Sequence, residues 1–193
     1  DLWSENWIEK LLSVSREHGC IAVGSTEIVD KTGAVIRHPS SGRKIAFTGS
    51  RLRRRLAFFL EPSFLGKSAA IYGIFPRTKV APAEVEFLKN TFPAWDVLLL
   101  FRALANMEIR CAQEAVLYNR KHEKSDSATT KPTLVSRTIL DKIFRKSLLH
   151  KYLAYSDVRE RVFILMLFIP HLFVIRLARL RFQLQRRLRT YLR

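Results

Sequence analysis

From Arg176 to Arg193 the chain carries seven arginines and no acidic residue. Guanidinium groups are permanent cations that grip phosphate bidentately, so this cluster is the residue set best suited to chemistry. At about 100° per residue on a helix, Arg176, Arg179, Arg186, Arg187, Arg189 and Arg193 share an arc of about 160°. Leu177, Leu180, Leu184, Leu188, Tyr191 and Leu192 take the opposite arc, while Arg181 and Phe182 break the division. Such charge repels itself unless a polyanion or an anionic surface neutralises it. A second basic zone holds Arg37, Arg43, Lys44, Arg51, Arg53, Arg54 and Arg55 beside the turn-forming His38–Gly42. Amides and hydroxyls of such a turn join guanidinium groups in contacting phosphate. These thirteen residues are the candidate RNA-binding set. Phe47 and Tyr72 are candidates for stacking on unpaired bases, although Phe47 fits a core position better.

Other residue types offer little chemistry. Gly66-Lys67-Ser68 resembles the end of a phosphate-binding loop, but the required glycine five residues earlier is Glu61, and Pro62 and Phe64 stiffen the loop. Lys67 is therefore expected at the surface or on a phosphate backbone. The histidines, His18, His38, His122, His150 and His171, have no metal-like spacing. Cys20 and Cys111 form no CxxC and are expected as buried reduced thiols. No GxSxG occurs, and helix dipoles account for Glu84, Glu86 and Asp96 near expected helix starts. The expectation is a protein that is not an enzyme, with no cofactor, no metal and no small-molecule substrate.

The whole chain of 193 residues has 34 Lys+Arg against 17 Asp+Glu, a formal charge of +17, and arginine outnumbers lysine 22 to 12. The charge is uneven. Residues 1–30 carry a net of −4, residues 31–60 have eight basic groups and no acid, and residues 137–193 carry a net of +11. Hydrophobic content of 48%, with thirteen Phe, supplies apolar surface for a core and argues against disorder for most of the chain.

The elements that must position these residues follow from periodicity. Leu2/Trp3, Trp7/Ile8 and Leu11/Leu12 predict a helix over 2–18, with Ser4 as cap and Gly19 as stop. Short β-like runs at 20–23, 26–29, 34–36 and 44–47, with turns at Asp30–Gly33 and His38–Gly42, predict a small antiparallel ribbon or three-stranded sheet. A short helix opens at Arg51 and ends near Glu61-Pro62, and 63–81 reads as irregular. Helices are expected over 83–91, from Ala94 to about His122, from Thr138 (capped by Ser136) to about Tyr155, and from Val158 (capped by Asp157) to the end with a kink at Pro170. The polar stretch 123–132 is the linker. The fold class is thus α+β, mainly α: an N-terminal helix, a small antiparallel β-ribbon, then several helices with a long basic C-terminal helix. Residues 1–122 form a small α+β body with a helical hairpin, and 133–193 a helical basic extension. No internal repeat is evident.

Val162 to Ile175 is apolar except for Pro170 and His171, and as a helix covers about 21 Å against a bilayer core of about 30 Å. It reads as a helix buried in protein, an interfacial helix, or a short span within a larger assembly. The function expected first is a structural subunit of an organellar ribonucleoprotein, a mitochondrial ribosomal protein holding ribosomal RNA and neighbouring proteins. The alternative is an accessory subunit of a mitochondrial inner-membrane complex, with 162–175 in or on anionic membrane lipid. An Asp1 start without methionine reads either as a processed end or as a mere boundary of the sequence; if processed, the basic, Arg-rich, cysteine-poor remainder suits a mitochondrial matrix address.

Overall fold

The structure, a computed structural model, describes residues 2–80, 85–86, 88, 94–120 and 147–191; of Phe64 and of 178–191 only the backbone is described. The chain divides into two compact units, Asp1–Tyr155 and Ser156–Arg193.

The first unit is a mixed α/β body. Strand β1 (Leu2–Trp3) leads into helix α1 (Trp7–His18), which ends on Gly19 in the left-handed region (φ 57°) as expected. Ser4 does not cap α1. Its amide and hydroxyl instead bond the carbonyl and amide of Val116, so the chain's start is a strand edge rather than a helix turn. Strand β2 (Ile21–Val29) runs through both of the first two β-like stretches without a turn.

The predicted helix from Ala94 to His122 is corrected. Helix α3 spans Trp95–Ala103 only, and Ile109–Arg120 is strand β3, the centre of a sheet ordered β1-β3-β2. β2 and β3 run parallel, so the sheet is not the antiparallel ribbon expected; β1 alone is antiparallel to β3. Parallel neighbours require a long crossover, and the segment carrying α2 (Arg51–Leu60), two 3-10 turns (Ser63–Leu65 and Lys67–Tyr72) and α3 supplies it. The expected strands at 34–36 and 44–47 shrink to single bridges, Val29↔Val35 and Phe47↔Ile109. The Asp30–Gly33 turn does form: the Asp30 carboxylate accepts from the amides of Thr32 and Ala34.

A bulge sets the core geometry. Val23 pairs with Cys111 but Ser25 with Val116, so β3 throws out extra residues there, with Glu114 at a positive φ of 66°. Gly24 sits under the bulge. A Cβ at that position would lie 2.2 Å from the Trp7 ring and 2.5 Å from the Ala115 carbonyl oxygen. Trp7, Leu11, Ala22, Ala112, Ala115 and Leu117 close this side of the core. A second cluster joins Phe47, Phe58, Phe59 and Phe101 to Tyr152 of helix α4 (residues 147–154), mostly in edge-to-face contacts with ring centroids 4.5–6.4 Å apart. Val97 to Phe101, five consecutive apolar residues of α3, are all buried, so the middle of this helix is enclosed on every side.

The second unit is helix α5 (Val158–Tyr191) with its lead-in. Asp157 caps it as expected. The Glu160 amide donates to the Asp157 carboxylate and the Asp157 amide to the Glu160 carboxylate, a reciprocal capping box. Pro170 lies inside the helix. The linker at 123–132, the helix start at Ser136–Thr138 and most of the helix at 83–91 lie outside the described residues.

Candidate functional site

The basic residues of the body separate into two groups according to what their side chains do. Ser50 caps α2 by accepting from the Arg53 amide, which sets the helix phase. That phase sends Arg51 and Arg53 to solvent and turns Arg54 and Arg55 inward. Arg54 donates to three carbonyls, those of Gly49, Leu104 and Ala105, and so staples α2 to the turn after α3. Arg55 is 1% exposed; its guanidinium lies 3.9 Å from the Phe101 ring centre and donates to the Tyr155 carbonyl at 2.6 Å. Both are structural arginines, and Arg55 in particular leaves the expected interface. Arg43 is half-buried in an ion pair with Glu61 at 2.6 Å. Arg37, Lys44, Arg51 and Arg53 remain as the exposed basic residues of the second zone.

Lys67 is also corrected, from a surface lysine to a core one. Gly66, at φ 90°, turns the chain so that the Lys67 ammonium donates to the Phe58 carbonyl at 2.7 Å and lies 4.6 Å from the Phe58 ring centre. Burial pushes its pKa down from 10.5 to about 7, with the Glu61 carboxylate opposing that shift. Phe47 is 7% exposed and packs on Phe58, a core residue rather than a base platform, whereas Tyr72 is exposed. Burial raises the pKa of both thiols, Cys20 and Cys111, which leaves them poor nucleophiles. Asp96 in the first turn of α3 is likewise raised by burial. No group of His, Cys, Asp or Glu among the described residues could hold a metal ion.

Among the described residues of the body, two grooves are defined. One, of about 910 Å³, is lined by Trp3, Trp7, Leu12, Tyr72 and Ile74 with Glu5 and Glu9. The other, of about 440 Å³, holds Lys10, His18 and Arg110. Two of its cations are engaged in ion pairs, Lys10 with Glu114 at 3.0 Å and Arg110 with Glu108 at 2.7 Å.

The feature that sequence reasoning underweighted is on α5. Val158, Val162, Phe163, Leu165, Met166, Ile169, Phe173, Val174 and Leu177, nine large apolar residues, are 37–76% exposed. They run directly into the arginine-rich half. Arg176 is exposed, and the side chains of Arg179, Arg186, Arg187 and Arg189 belong to the part described by its backbone only. Arg193 lies outside the described residues. Among the described residues, no helix is long and apolar enough to cross a membrane.

Compared with known proteins, the chain has no significant match to a protein-family model, a curated protein or a solved structure.

Proposed function

We propose that the chain is a non-catalytic accessory subunit that docks on an anionic membrane surface through α5, in a mitochondrial inner-membrane assembly. The apolar side of the helix enters the lipid, and its arginines meet phosphate headgroups. One observation carries this reading: nine exposed large apolar residues lead into a segment, Arg176 to Arg193, with seven arginines and no acid. Water penalises that apolar surface and lipid does not, while clustered arginine is attracted by anionic headgroups. The mitochondrial setting rests on composition alone. The test is flotation of the chain with vesicles of three parts phosphatidylcholine to one part phosphatidylglycerol. Each basic residue near such a surface contributes about 1 kcal/mol. Replacing Arg176, Arg181 and Arg187 together by Ala is therefore expected to weaken binding by about a hundredfold. Unchanged partitioning of that variant would end the reading.

A second reading keeps the ribonucleoprotein subunit that binds ribosomal RNA. Exposed Arg37, Lys44, Arg51 and Arg53 favour it, because they form a second basic zone that a single lipid-facing helix does not use. Affinity for ribosomal RNA that drops steeply with salt, alongside indifference to the vesicles, selects this reading over the first.

A further inference from the structure

The apolar face of α5 has a period. Val158, Val162, Met166, Ile169, Phe173, Leu177, Leu180, Leu184, Leu188 and Tyr191 follow one another at steps of 4, 4 and 3 residues, repeated three times. This is an 11-residue repeat, a periodicity that composition does not reveal. In the first half of the helix apolar residues occur all round: the six stripe members there are 51–76% exposed, and Leu165 and Val174 outside the stripe are 54% and 53% exposed. In the second half, Ala178 and Phe182 are the only other apolar positions before Tyr191.

Eleven residues make three turns of an α-helix with about 20° left over, so the stripe stays nearly parallel to the helix axis. A seven-residue repeat would drift in the opposite sense and wrap a left-handed coiled-coil partner; the 11-residue period suits a flat surface or a right-handed coil, and the arginines beside the stripe favour an anionic surface. The register also carries across Pro170, since Ile169 and Phe173 keep the four-residue step. Of the arginine positions from Arg176 to Arg189, three flank the stripe, Arg176 and Arg187 on one side and Arg181 on the other, each roughly 60–75° away, while Arg179, Arg186 and Arg189 fall on the far side. Long basic side chains at that angle keep their stems beside lipid and their heads at the phosphates.

We infer that α5 lies flat on an anionic bilayer along its whole length, with the 11-residue stripe as its immersed edge. Residues 162–175 are then not a separate inserted segment. At 34 residues the helix is about 51 Å long, much more than the roughly 30 Å core it would have to cross. The inference rests on the membrane reading and specifies how much of the helix is engaged.

The experiment uses the full chain and the same phosphatidylcholine–phosphatidylglycerol vesicles, measured by co-sedimentation. Leu184→Asp and Leu188→Asp, far from the 162–175 run, are expected to lower partitioning tenfold or more, as is Ile169→Asp. Gln183→Asp and Thr190→Asp add the same charge off the stripe and are expected to lower it less than threefold. Where aspartate perturbs the helix by circular dichroism, Leu184→Gln and Leu188→Gln replace it, with the same order of effects expected. If only Ile169→Asp matters, the membrane reading survives and the flat, full-length contact is overturned. If the wild-type chain ignores the vesicles, both fall. A lipid-independent oligomer dissolved by the stripe variants also overturns the inference, in favour of a helix partner.

Discussion

At the scale of single residues, the structure separates charge that is available from charge that is consumed. Arg53 and Arg54 are adjacent in sequence, yet one faces water and the other closes three carbonyls. Composition cannot tell them apart; the phase set by the Ser50 cap does. Lys67 is the sharpest case, an ammonium 3% exposed against an aromatic ring. Its folded-state pKa of about 7 lies below its ordinary 10.5. The unfolded chain therefore binds more protons between these values, and stability rises as pH rises through that window. Between pH 7 and 9 the gain is on the order of 2 kcal/mol. Lys67→Met, which keeps the volume and removes the titrating group, is expected to flatten that rise in urea unfolding midpoints. A pH profile unchanged by this substitution would show that the amine titrates normally.

Elements show where local pattern misleads. Gly19 stopping α1, Arg51 opening α2 and Asp157 opening α5 were legible, because caps and stops act over a few residues. β3 was not. Its buried positions, Ile109, Ala112, Ala115 and Leu117, are spaced nearly as on a helix because the bulge around Glu114 shifts the alternation. A parallel partner strand so far back in the chain leaves no local trace either. Of the candidate site, spacing proposes the arginine arc, whose side chains beyond Leu177 lie outside the described ones, but the inward turn of Arg55 depends on Phe101 and Tyr155, which tertiary packing alone brings to it. The bulge also yields a prediction at this scale. Gly24→Ala places a methyl against the Trp7 ring of α1 and the Ala115 carbonyl of β3. Overpacking of this kind costs typically about 1–3 kcal/mol. Denaturant titration is expected to register it, and a variant as stable as the wild type would mean that α1 moves away freely.

For the whole molecule, the formal charge of +17 and the exposed apolar stripe make different demands on a partner. A polyanion in water satisfies the first alone; an anionic bilayer satisfies both. Salt separates the two contributions. Raising ionic strength from about 0.1 M to about 1 M shortens the screening length from about 10 Å to about 3 Å, which weakens attraction between surface charges. Apolar burial is untouched by screening and is strengthened by excluded salts such as sulfate. Binding to the anionic vesicles is therefore expected to fall more than tenfold across that range but to settle at a plateau. The plateau should match the affinity for vesicles of phosphatidylcholine alone, where the stripe acts without headgroup charge. Co-sedimentation at both salt concentrations and on both lipids measures it. Complete release at high salt would mean that charge alone holds the protein, the behaviour of an RNA-binding subunit, and the apolar face of α5 would then belong to a protein neighbour.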